Sequence, residues 1–172
     1  MKGKVALVTG ARGGLGTYVT QALLDAGATV IGLSRKIEQS EFNSTNFTAL
    51  PAEISTADGA KRAVDSLVSR FGRLDILVHT VGGFAGGKPV AETDDATFER
   101  MFDVNLYSTF FLLRAAIPVM RKTGNGRSLP SAVAQRWSPE LAWAHTVRPR
   151  RPWSHSSGRW RRKTRTQQLR PM

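Results

Sequence analysis

The sequence predicts an α/β protein built on a doubly wound parallel sheet. Three observations carry that expectation. Short runs rich in β-branched apolar residues, such as "KVALVTG" over 4–10 and "LDILVHTVGG" over 74–83, alternate with amphipathic helical stretches. The runs lack polar alternation, as strands covered on both faces require. Glycines gather in "TGARGGLG" over 9–16, between the first strand and the first helix. Strand–helix alternation of this kind gives parallel strands joined by helical crossovers.

Each element can be justified in turn. "KVALVTG" is a buried strand ending in Gly10, and "GLGTYVTQALLDAG" over 14–27 has helical spacing and stops at Gly27, a good terminator. "ATVIGLSR" over 28–35 is the second strand, and "FTALPAEI" over 47–54 contains the third. "TADGAKRAVDSLVSRFG" over 56–72 is a helix, with Thr56 or Asp58 as its N-cap. The fourth strand lies in 74–83, and "DDATFERMFDVNLYSTFFLLRAAIPVMRK" over 94–122 is one long amphipathic helical stretch.

Composition narrows the classes of function. The length of 172 residues suits one domain. There are no cysteines, so no disulfide framework and no cysteine-based metal site is expected. No apolar run reaches about 18 residues, so a membrane span is not expected. The start of the chain lacks a signal-peptide layout, and the default expectation is cytoplasmic.

The chemical clue is the glycine turn. Gly10, Gly14 and Gly16 allow a tight turn and let backbone N–H groups approach a phosphate at a helix N-terminus. The spacing Thr9-Gly10-x-x-x-Gly14-x-Gly16 resembles the glycine motif of the short-chain dehydrogenase/reductase family. That resemblance covers residues 1–127. It implies a Rossmann-like fold whose strands retained here would be ordered 3-2-1-4, with Thr9, Gly10, Arg12, Gly14, Leu15 and Gly16 at the cofactor.

The resemblance continues along the chain. His79-Thr80-Val81-Gly82 stands where the family has Asn-Asn-Ala-Gly. Val81 and Gly82 keep backbone against the cofactor, while the asparagines that stabilise the strand are missing. "FDVNL" matches the helix that carries the family's catalytic asparagine, here Asn105, which helps hold a water linked to the active-site lysine. Glu53-Ile54 resembles an Asp-Val pair beside the adenine. His79 reads as a packed or cofactor-adjacent histidine rather than a catalytic base.

Charge argues for the choice of cofactor. A carboxylate ending the second strand would bind ribose hydroxyls and favour NAD. That position is Ser34, followed by Arg35 and Lys36, so NADP is favoured and NAD remains possible. The implied activity is hydride transfer between NADP(H) and a small-molecule carbonyl or alcohol. Intact members of the family are often homo-oligomers.

A break in composition near 126–128 divides the chain. Of the net charge of +12, residues 1–127 carry +3 and residues 128–172 carry +9, and all four tryptophans (Trp137, Trp143, Trp153, Trp160) lie in the second part. The family's catalytic Ser and Tyr-x-x-x-Lys belong after a fifth strand that follows "GNGR" over 124–127. The sequence beyond it reads as no strand, leaving strand 4 at an open apolar edge. Its two tyrosines, Tyr18 and Tyr107, have no lysine four residues on.

Read one base out of register, with suitable third bases, the tail encodes an apolar strand ending in Ser, a glycine-rich loop and Tyr-Ser-Ala-Ser-Lys. The shifted Ser straddles Ala132 and Val133, the Tyr His145 and Thr146, and the Lys Pro149 and Arg150. A frameshift near Arg127–Ser128 explains both the missing residues and the basic Trp/Arg/Pro-rich tail, expected to be disordered or irregular. Two alternatives stand beside an inactive enzyme: an NADP-binding regulatory or interaction protein, or a basic tail that binds nucleic acid through phosphates and stacking. Neither a specific nucleic acid nor a membrane is the expected partner.

Overall fold

The computed structural model describes residues 1–122 and 127–130, the last four as backbone only. The tail beyond Pro130, with its tryptophans and its expected irregularity, lies outside the described residues. The sheet holds β1 (Val5–Thr9), β2 (Thr29–Ser34), β3 (Phe47–Pro51), β4 (Ile76–His79) and β5 (Arg127–Pro130). All pairs are parallel, in the order β3-β2-β1-β4-β5. The 3-2-1-4 order is the one the sequence implies.

The fifth strand corrects an expectation. No strand was expected after residue 127, yet β5 pairs with β4 from Ile76 opposite Arg127 to His79 opposite Pro130. The edge of β4 offers a row of backbone donors and acceptors, which an extended neighbour can satisfy whatever its side chains are. The edge of β4 is therefore paired, and the strand crosses the break in composition.

Both sheet faces are buried, which is why the strands show no alternation. On one face Val5, Leu7, Ile31, Leu33 and Leu77 pack with Ala63, Val64 and Leu67 of α2 (Ala57–Phe71) and with Leu112, Ala116 and Met120 of α4 (Ser108–Lys122). On the other, Ala6, Val8, Val30 and Val78 pack with Leu24 of α1 (Gly14–Asp25), Phe42 and Phe47. The Phe42 and Phe47 rings lie 4.6 Å apart.

Helix ends follow local chemistry. Thr56, the first of the two expected caps, accepts the Gly59 N–H at 3.1 Å. Gly27 takes a positive φ of 80° and its N–H reaches the Leu24 carbonyl, a turn that glycine makes without strain. The expected long helix over 94–122 is interrupted. It is α3 (Asp95–Phe102), a π-helical turn over Asp103–Tyr107, then α4. Asn105 sits in that turn. Its side chain holds backbone across the cleft, a long-range demand that periodicity does not reveal.

At the sheet end opposite the glycine turn, Asp75 ties the strand starts together. It is almost fully buried and accepts from the Val5 N–H at 3.0 Å, from Arg73 Nε at 2.8 Å and from Lys4 at 3.4 Å. The Arg73 guanidinium holds its carboxyl down to about 2, well below the usual value.

The outer faces of α3, the π turn and α4 leave Phe98, Phe102, Leu106, Tyr107, Phe110 and Ile117 exposed. Apolar area left in water contributes nothing to folding and promotes association. The chain is expected to unfold below about 60 °C, at or under the range of ordinary mesophile domains. A cooperative calorimetric transition above that temperature contradicts this prediction.

Candidate functional site

A cleft of about 840 Å³ opens at the C-terminal ends of β1, β2 and β4. This is where open α/β sheets bind ligands, because neighbouring crossovers diverge there. Eight of the predicted cofactor residues line it: Gly10, Arg12, Ser34, Arg35, Glu53, Ile54, Val81 and Gly82. Thr9 and Gly16 are buried beneath the turn, and Leu15 is partly exposed at the start of α1.

The three motif glycines have three different physical roles. Gly10 has a positive φ of 70°, and a Cβ there would lie 2.7 Å from Thr80 Oγ1. At Gly16 a Cβ would lie 2.0 Å from the Gly10 carbonyl oxygen, so the helix can approach the turn only without a side chain. At Gly14 a Cβ would meet nothing within 4 Å beyond its own helix backbone and chain neighbours. That open space lies at the N-terminus of α1, where first-turn amides have no intrahelical acceptor and Gly13 offers no side-chain cap. The donors and the space fit a phosphate-bearing ligand.

The turn is fastened to β2. The Arg12 N–H donates to Ser34 Oγ at 3.2 Å, and its guanidinium donates to the Lys36 carbonyl at 2.9 Å and pairs with Glu41 at 3.1 Å. Arg12, Arg35 and Lys36 thus gather on one rim of the cleft. Arg35 is 3.9 Å from Glu53, whose carboxylate also accepts the Ile54 and Ser55 amides at 3.0 and 3.1 Å. Ile54 is buried and forms apolar wall.

On the far side, Asn105 holds Gly83. Its Oδ1 accepts the Gly83 N–H at 3.0 Å, and its Nδ2 donates to the Gly83 and Met101 carbonyls, both at 2.9 Å. His79 is buried against the cleft floor, with Nδ1 2.7 Å from Thr9 Oγ1 and Nε2 3.0 Å from Thr109 Oγ1. Burial pushes its pKa down to about 4, so the ring is neutral at neutral pH. The Thr80 hydroxyl donates to the Thr9 carbonyl at 2.6 Å. His79 and Thr80 therefore make the cross-strand bonds for which the missing asparagines left no candidate. Both occupy the motif position, and their hydrogen-bonding capacity was the available signal.

Sequence reasoning missed Arg100, Asp103, Val104 and Ser108, which line the cleft from the end of α3 through the π turn to α4. The helical pattern placed them on a helix, but not on which face. Among the described residues no helix is long and apolar enough to cross a membrane, and no cluster of three metal-ligating side chains occurs.

A parallel sheet with a glycine turn and a strand-end cleft is a Rossmann-like α/β fold. Residues 4–129 match the family described as short chain dehydrogenase, and the chain belongs to that family. The chain is 33% identical to L-fucose dehydrogenase of Mus musculus, over 76% of this chain and 50% of that protein. It is 32% identical to the NADPH-dependent aldehyde reductase 1, chloroplastic, of Arabidopsis thaliana, over 71% and 47%. The solved structure of ElxO with NADP bound superposes with a TM-score of 0.70 at 27% identity, covering 76% of this chain and 55% of that one. The chain spans about half the length of the curated relatives it matches.

Proposed function

We propose that residues 1–127 are the cofactor-binding part of an NADP-dependent oxidoreductase acting on a carbonyl or alcohol, and that this chain holds NADP without turning it over. The observation that carries the reading is the rim of the cleft. Arg12, Arg35 and Lys36 gather where the second strand ends in Ser34 rather than in a carboxylate. A 2′-phosphate meets positive charge and a hydroxyl there, while the ribose diol of NAD lacks its usual acceptor. The dinucleotide supplies the hydride chemistry when bound. The chain's own residues orient it, with Gly10 and Gly14 at the pyrophosphate, Gly16 letting α1 close on the turn, Ile54 and Val81 as apolar wall, and Glu53 and Gly82 beside it.

Titration calorimetry of the purified chain tests this directly. NADP is expected to bind at least tenfold more tightly than NAD, the worth of one charge-assisted phosphate contact of about 1.5 kcal/mol or more. Arg35→Asp is expected to remove that preference. Equal affinity for both dinucleotides, unmoved by Arg35→Asp, overturns the assignment.

The absence of turnover follows from chemistry. The family's Tyr exchanges the proton and its Lys lowers the Tyr pKa, and this sequence has no Tyr-x-x-x-Lys. Oxidation of NADPH by the pure chain with any carbonyl substrate contradicts this. The tail reads as the neighbouring frame of the same gene. His145 then requires the codon CAT, Pro149 CCA, and Arg150 AGA or AGG. A CAC or a CGN codon at the first or last of these removes the hidden Tyr or Lys. In that case the tail's charge of +9 and its four tryptophans favour the second reading, a nucleic-acid-binding extension.

A further inference from the structure

We infer that His79 is a positioning residue, a neutral Nε2–H imidazole that couples the glycine turn to the Asn105 side of the cleft. The inference rests on the cofactor reading above for its function, but not for its chemistry. The tautomer follows from counting protons. Thr109 Oγ1 donates to the Asn105 carbonyl at 2.7 Å, so its one proton is spent. It can meet His79 Nε2 at 3.0 Å only as an acceptor, which places the proton on Nε2. Nδ1 is then an acceptor, and Thr9 Oγ1 donates to it at 2.7 Å.

The bonds form a continuous strut. Thr9 precedes Gly10 and carries the end of β1; His79 ends β4; Thr109 lies in the first turn of α4; and Asn105 grips the Gly83 backbone at both its N–H and its carbonyl. The two walls of the cleft thereby share one hydrogen-bonded path through a buried ring that is 2% exposed. A hydrocarbon of the same size would fill the space but leave the buried Thr9 Oγ1 without an acceptor and the half-buried Thr109 Oγ1 without its histidine donor. A side-chain amide supplies both groups that this tautomer presents, an N–H donor and a carbonyl acceptor, with one further N–H, so asparagine or glutamine can replace the ring electrically where leucine cannot.

The test uses nitrogen-15 NMR of the whole chain together with NADP titration of His79→Leu, His79→Asn, His79→Gln and Thr109→Val. The wild-type ring is expected to show a protonated Nε2 and an unprotonated Nδ1 at neutral pH. His79→Leu is expected to shift the amide signals of both Gly10 and Gly83 and to weaken NADP about tenfold, as loss of a buried hydrogen bond does. His79→Asn or His79→Gln is expected to restore both amides and most of the affinity. A ring protonated on Nδ1, or a leucine variant with Gly83 unmoved and affinity intact, overturns the inference. Where His79→Leu fails to fold, the wild-type tautomer and the Gly83 response to Thr109→Val decide the matter. Wild-type protein that binds no NADP at all overturns the cofactor reading, while the tautomer and the two glycine amides still judge the strut.

Discussion

Alanine at Gly14 is expected to abolish most NADP binding and leave folding intact, whereas alanine at Gly16 is expected to unfold the turn itself. The two positions differ in what a methyl group would meet. At Gly14 an added Cβ meets nothing within 4 Å beyond its own helix backbone and chain neighbours, and φ is not positive, so alanine fits the helix. It should stabilise the chain by up to about 1 kcal/mol through helix propensity and a less flexible unfolded state. On the proposed cofactor reading, the space it fills is the space a pyrophosphate needs. At Gly16 the Cβ would sit 2.0 Å from the Gly10 carbonyl oxygen and 2.9 Å from Ala11 Cα. Both are backbone atoms that cannot rotate away, so the helix and turn must separate, at a cost of about 3 kcal/mol. Thermal melts read alongside calorimetric titrations separate the outcomes. A Gly14→Ala protein that binds NADP like wild type removes the pyrophosphate from that position. A Gly16→Ala protein that melts like wild type removes the close packing of α1 on the turn.

Acid is expected to destabilise the chain in two steps. His79 titrates near 4 when folded and near its ordinary 6.5 when unfolded, so its folded pKa is lowered. The unfolded chain takes up the proton first, and stability falls as pH drops from about 6.5 to about 4, by up to about 3 kcal/mol. Asp75 follows. Its folded pKa of about 2 lies below the ordinary 3.8, so its contribution is present above 3.8 and is lost as pH falls toward 2. That step is worth about 2 kcal/mol. For a domain of marginal stability the first step alone can cross the unfolding threshold. Urea midpoints measured from pH 7 to pH 2 test the order. His79→Gln should flatten the upper window and leave the lower one. A profile flat between pH 6.5 and 4 in the wild type contradicts the burial of a neutral histidine.

The alternation of apolar strands and helices was legible because both sheet faces are covered, so Ala6, Val8, Val5 and Leu7 are all buried whichever way they point. The glycine turn was legible because Gly10 and Gly16 are demanded by local backbone contacts. The strand-end cations were legible because Ser34, Arg35 and Lys36 adjoin in sequence. The interruption of the long helix was not legible, since a π turn keeps helical spacing on both sides. Nor was β5, whose pairing is made by backbone against the β4 edge rather than by a side-chain pattern.

The sequence alone determined the family, the parallel sheet and the glycine turn, because short-range steric rules and strict spacing fix all three. Only the tertiary structure decided how the cleft is braced. Thr9, His79 and the Asn105–Thr109 helical turn come from three separate segments, and the bonds that His79 makes to the other two depend on distances that no local pattern encodes.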